Sequence, residues 1–116
     1  MSAHNDIADN LAAKQCLPCT ATTPALSQEQ ANTLLQGLTG WQQQGNAISK
    51  NFEFKDYYQT ISFVNAIAWV SNREDHHPEL TISYRNCHVI YTTHAINALS
   101  ENDFICAAKI DALLII

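Results

Sequence analysis

Residues 80–91 read LTISYRNCHVIY, and the fold turns on how they are read. Leu80, Ile82 and Tyr84 alternate with other residues, the period of a half-buried strand. Val89 and Tyr91 mark a second strand after a break. Between them Arg85-Asn86 reads as a tight turn, because asparagine tolerates positive φ. The stretch is therefore expected to be an antiparallel hairpin. A turn centred on Arg85-Asn86 sets Tyr84 opposite Cys87 and Leu80 opposite Tyr91, and extending the ladder sets His77 opposite His94. Directly opposed residues hold their Cβ atoms about 4.5–5.5 Å apart. Two imidazoles would then meet at the open end of the hairpin, with His76 next door.

The flanking sequence supplies the other layer. Asp56 can cap a helix from Tyr57 to about Arg73, with Ile61, Val64, Ile67 and Ala68 at helical spacing and Phe63 and Val70 widening the stripe. Before it, Trp41 to Gln44 and Ala47 to Phe54 read as two strands around Gly45-Asn46. Ile48, Lys50, Phe52 and Phe54 share one face, Lys50 being the polar exception. Ser27-Gln28-Glu29-Gln30 has the capping-box pattern and opens a helix carrying Ala31, Leu34, Leu35 and Leu38. Gly37 and Gly40 close it. Ser100-Glu101-Asn102-Asp103 caps a last helix, with Phe104, Ala107, Ala108 and Leu114 directed at the core. The order is α-β-β-α-β-β-α. It predicts an α+β fold, a four-stranded antiparallel sheet with three helices on one face and an open, wettable face opposite. Residues 1–24 read as a flexible tail in which nothing anchors a short helix near Ile7 to Lys14; residues 25–116 read as a single domain.

The composition narrows the function. The chain has 116 residues and a net charge of −5, and its six basic residues are scattered. Neutralising phosphates needs clustered Lys and Arg, so neither nucleic acid nor a membrane surface is expected as partner. No apolar run approaches the roughly 18 residues of a membrane span. The first residues lack a basic region followed by an apolar one, so a cytoplasmic setting is expected. There Cys16, Cys19, Cys87 and Cys106 stay reduced, and Cys16-Leu17-Pro18-Cys19 reads as a flexible thiol pair. Trp41 and Trp69 read as core or interface residues, and the apolar end Ala112 to Ile116 as a helix turn or a dimer contact. A domain near 100 residues hides only about two thirds of its unfolded surface, which favours pairing with a second chain.

The chemistry concentrates at Asp75-His76-His77-Pro78-Glu79 and at His94. Imidazole gives and takes protons near neutral pH. Two or three such rings around one ligand suit removal of a hydroxyl with a nearby proton. Pro78 biases His77 to an extended conformation and stops ladder pairing at the strand start. Glu74, Asp75 and Glu79 flank the cluster, and one of them could orient an imidazole. From spacing alone, solvated surface, a zinc site and an acid–base site stand level.

"DHHPEL" at 75–80, the aromatic Tyr84, "TTH" ending at His94 and "LSENDFICAAKID" at 99–111 together resemble the pterin-4a-carbinolamine dehydratase family. The likeness runs from about Ser27 to Leu113, and "FEFKDY" before the long helix and the tail pattern "DNLAAKQCLPC" fit its bacterial branch. The resemblance implies a hydro-lyase that converts 4a-hydroxytetrahydropterin to quinonoid dihydropterin, with no metal and no organic cofactor. It implies a homodimer or homotetramer, functionally linked to an aromatic amino acid hydroxylase. It makes His76, His77 and His94 the catalytic residues, and Asp75, Pro78 and Glu79 are expected to contact the pterin. Animal members also act as partners of a transcription factor, so a binding module is the alternative. The chain departs from the family at three places. Asn72 stands where a glutamate is frequent, Ala95 to Leu99 replaces a glycine-containing turn, and Leu80 stands where some members have an aromatic. Asn97 can still adopt the left-handed conformation that such a turn needs.

Overall fold

The computed structural model describes residues 5–114. Two helices, α1 (Asn5–Ala13) and α2 (Gln28–Leu35), precede strands β1 (Gln42–Gln44) and β2 (Ala47–Glu53). Helix α3 (Tyr57–Glu74), strands β3 (Glu79–Ile82) and β4 (Asn86–Tyr91), a 3-10 turn (His94–Ile96) and helix α4 (Glu101–Ala112) follow. The sheet is antiparallel in the order β1-β2-β4-β3, which gives the expected α+β architecture with one helix more. Among the described residues no helix is long and apolar enough to cross a membrane.

Alternation along β4 buries Cys87, Val89 and Tyr91 against the helices. Their partners Phe52, Lys50 and Ile48 on β2 lie on the same face. Ser49, Asn51, Glu53, Thr81 and His88 populate the other face, so the predicted wettable surface is present. Lys50 is accommodated by paired chemistry. Its ammonium lies 4.8 Å from the centre of the Phe52 ring, donates to the Thr39 carbonyl at 3.0 Å and meets the Asp111 carboxylate at 3.1 Å. On α3 the buried stripe is Phe63, Ile67 and Val70, with Thr60 and Ser71; Ala68, expected inside, is exposed.

Further expectations need correction. The hairpin turn is centred one residue earlier: Leu80 pairs with Val89 and Ile82 with Cys87, and Ser83 N–H donates to Asn86 O. The cause is long-range. The Phe54 N–H donates to Arg85 O at 2.7 Å, and Asn86 pairs with Glu53, so β2 draws Asn86 into the ladder. The shift moves each partner by two residues, which preserves the faces but sets His77 and His76 against Thr92 and Thr93 when the ladder is extended. Leu114 is exposed, because α4 stops at Ala112.

The segment before Ser27 is anchored. Leu11 of α1 is buried in the core, a Cβ at Gly37 would clash with Ile7, and Lys109 of α4 donates to Ala12 O. A helical stretch apolar all round is buried on all sides, and the middle of α4, Phe104 to Ala108, is such a stretch: every one of its residues is buried. Helix α1 covers the side that the sheet and α3 leave free.

Candidate active site

Helix α3 ends on Asp75, whose left-handed backbone (φ 53°, ψ 43°) lets its N–H reach back to Ser71 O. Aspartate visits this region at modest cost. The reversal separates the next two side chains. His76 turns inward and is only 7% exposed, whereas His77 stays exposed. Beyond β4, Thr93 bridges to Ala98 around the 3-10 turn, which starts at His94 and closes on Asn97 at φ 50°. Asn97 thus takes the left-handed conformation expected of it, and the Asn46 amide ties it down with two 3.0 Å hydrogen bonds.

The two segments enclose a cleft of about 190 Å³ lined by His76, His77, His94, Asp75, Thr92 and Cys19. The three histidines are therefore brought together, although not by the register first expected. His94 arrives from the turn after β4 and not from a ladder position. Pro78 and Glu79 are not among the residues lining this cleft; Glu79 opens β3, exposed, opposite Ile90.

His76 is held on several sides. Its Nε2 lies 2.6 Å from Asp103 Oδ1, and its ring stacks on Tyr91 at 5.8 Å between centres and 7° between planes. Asp103 is fully buried, and its Oδ2 accepts from Thr93 Oγ1 at 2.8 Å and from Ser100 N–H at 3.0 Å. It stands in the first turn of α4, where the helix dipole favours a carboxylate. Burial pushes the Tyr91 phenol far above its usual range, so the stacking partner stays neutral. His77 and His94, in contrast, form no side-chain hydrogen bond among the described residues, and both are exposed. One ring is fixed; the other two have no side-chain partner among the described residues.

The orienting carboxylate was not one of the three expected from proximity in sequence. Glu74 faces away, accepting from Cys16 N–H at 2.8 Å; Asp75 serves as the helix cap; Glu79 lies on β3. Asp103, read from the sequence as a helix-capping residue, holds the imidazole. The sequence signal was an acid placed three residues after a serine cap, with no way to see that its second oxygen faces His76. Asn72 is exposed on α3 and is not among the residues lining the cleft. Among the described residues, no three His, Cys, Asp or Glu side chains converge closely enough to hold a metal ion.

The profile of the family described as Pterin 4 alpha carbinolamine dehydratase matches residues 24–113. A Nitrosospira multiformis protein, provisionally named pterin-4-alpha-carbinolamine dehydratase, is 61% identical over 105 residues, covering 90% of this chain and 93% of its own. A Nitrosomonas eutropha protein of the same provisional name is 58% identical over 107 residues, covering 91% and 95%. The crystal structure of a transcriptional coactivator/pterin dehydratase from Brucella melitensis superposes with a TM-score of 0.75 at 33% identity, over 78% of this chain and 98% of its own. A pterin dehydratase-like protein described as a RuBisCO assembly factor in the alpha-carboxysome superposes at 0.54 with 26% identity, over 63% and 84%.

Proposed function

The chain belongs to the pterin-4-alpha-carbinolamine dehydratase family, and from that premise we propose that it dehydrates 4a-hydroxytetrahydropterin to quinonoid dihydropterin, with His77 and His94 as the acid–base pair. The observation that carries this reading is the division of labour among the three histidines. His76 is locked against Asp103 and Tyr91, while His77 and His94 present unengaged rings to the same cleft.

The reaction breaks the C4a–O bond and removes the N5 proton, so that a C4a=N5 double bond forms and water leaves. One imidazolium protonates the departing hydroxyl. One neutral imidazole takes the N5 proton. The pair ends with its protonation inverted and resets by exchange with solvent through the open cleft. Protonation equilibria near neutral pH suit imidazole to both roles. His76 contributes by holding the wall of the cleft, and Asp75 is the member of the substrate-contact set that lines it. Pro78 acts indirectly, fixing the backbone that follows His77. Recycling of the pterin for an aromatic amino acid hydroxylase in the cytoplasm, by a homodimer or homotetramer, belongs to the same proposal.

The test is formation of quinonoid dihydropterin from 4a-hydroxytetrahydropterin by the purified protein. A rate well above the spontaneous one is expected. A rate equal to buffer alone overturns the reading.

A further inference from the structure

The CxxC segment lies over the candidate site as a strap. Its backbone is pinned at two places: Cys16 N–H donates to Glu74 Oε1 at 2.8 Å, and Leu17 N–H donates to Asn102 Oδ1 at 3.1 Å. Asn102 returns the bond through its own amide to Leu17 O at 2.7 Å. The Cys16 sulfur packs 3.5 Å from that of Cys106. Contact with Cys16 and burial both push the Cys106 thiol far up, so that end of the strap rests on neutral sulfur. These anchors deliver Cys19 to the cleft, with its sulfur 3.0 Å from the Asn102 amide nitrogen and 3.9 Å from His76 Nδ1.

The polarity of these contacts forms a consistent chain. Asp103 Oδ2 accepts two hydrogen bonds, and a carboxylate is acceptor-only, which suits Oδ1 to receive the His76 Nε2–H. Neutral His76 then carries a lone pair on Nδ1. Asn102 Nδ2 is only a donor, so the Cys19 sulfur accepts from it and its S–H is free to point at Nδ1. When His76 is protonated the last link reverses, and Nδ1–H donates to sulfur. In both states the ring has partners at both nitrogens. The other acceptor within reach of the thiol, Leu17 O, lies at 4.0 Å and also accepts from Asn102.

We propose that Cys19 is a positioning residue of the candidate site, the N-terminal strap supplying the thiol that, with Asp103, fixes the tautomer and orientation of His76. For its kinetic arm this rests on the dehydratase reading above. The strap makes the segment before the matched family region, which begins at residue 24, part of the site. Which ring nitrogen of an imidazole carries the proton is set by the hydrogen bond that the other makes, so losing that partner changes both tautomer and orientation.

The deciding experiment compares the full chain with Cys19→Ala and Cys19→Ser by nitrogen-15 NMR of the histidine rings and by steady-state dehydration kinetics. The unaltered chain should show His76 as a single Nε2–H tautomer. Cys19→Ala should shift or mix the His76 signals and lower kcat severalfold while KM holds. Cys19→Ser, which keeps a donor, should restore most of both. Unchanged His76 signals in Cys19→Ala overturn the proposal, as does a kcat loss that serine fails to recover in a folded protein. If the unaltered chain proves inactive on 4a-hydroxytetrahydropterin, the dehydratase reading fails on its own, and the ring signals still decide the role of Cys19.

Discussion

The two most buried carboxylates of helix α4, Asp103 and Asp111, each face a cationic or basic side chain from another element. Asp103, in the first turn, holds His76; Asp111, in the last turn, holds Lys50. The first has the helix dipole in its favour and three donors on its two oxygens. The second sits where the dipole opposes a negative charge; burial raises its carboxyl, while Lys50 and the Trp41 N–H at 3.0 Å pull the other way. Asp103's partner His76 lines an open cleft with two unengaged histidines. Asp111 is held by Lys50 and the Trp41 N–H, and the Lys50 ammonium is in turn engaged by the Phe52 ring and the Thr39 carbonyl. A buried carboxylate with a basic partner therefore does not by itself mark a site. What distinguishes the Asp103 end is that its fixed pair stands beside groups that are not fixed.

The largest effects should come from those free groups. His77→Ala and His94→Ala should each lower kcat for dehydration by about 10²–10⁴-fold, while unfolding free energy moves by under about 0.5 kcal/mol because both are exposed. Near-normal rates in both folded variants would remove the acid–base scheme. Next comes the fixed pair. Asp103→Ala strands His76 Nε2 and the Ser100 N–H, while the Thr93 hydroxyl keeps Ser100 Oγ at 2.7 Å, and should cost about 3 kcal/mol in chemical denaturation together with most of the activity. Asp103→Asn keeps an acceptor and should cost less stability, yet it turns a donor toward the imidazole and should still slow the reaction. Asp111→Ala should destabilise by about 1 kcal/mol and leave the dehydration rate alone. Equal kinetic damage at both ends of α4 would dissolve the contrast between them.

How much of this was legible follows the range of the interactions. The strands, α2, α3 and α4 write their periods into short windows, and the capping residues Ser27, Asp56 and Ser100 mark their starts. The hairpin turn was misplaced by one residue because its position depends on β2, more than thirty residues upstream. The anchoring of α1 and the strap was illegible in the tail itself, whose partners Asn102, Cys106 and Lys109 lie some ninety residues later. The available signal was in α4, where Phe104 to Ala108 leaves no polar face and so requires cover on every side. Placement of His76, His77 and His94 in one cleft was foreseeable because any hairpin over these residues brings their segments together. The partners Asp103 and Cys19 were not, since each sits on an element whose docking no local pattern reports.

The smallest effect tests the structural end alone. Burial, the largest influence on Asp111, raises its carboxyl above 3.8, and the Lys50 and Trp41 contacts only partly offset it. A carboxyl with a folded value above its unfolded one binds its proton more tightly when folded. Its contribution to stability is complete below 3.8 and is lost as pH rises through the folded value. Asp111→Asn removes that titration while keeping an acceptor for Trp41. It also leaves Lys50 without its ion pair, an offset that does not change with acid pH because lysine stays protonated there. The difference in unfolding free energy, original chain minus variant, should therefore decline from below pH 3.8 toward neutrality, by under about 1 kcal/mol given the partial exposure of the pair. A difference that instead grows over that window would mean that the Lys50 pairing outweighs burial, and Asp111 would then resemble Asp103 more closely than the geometry implies.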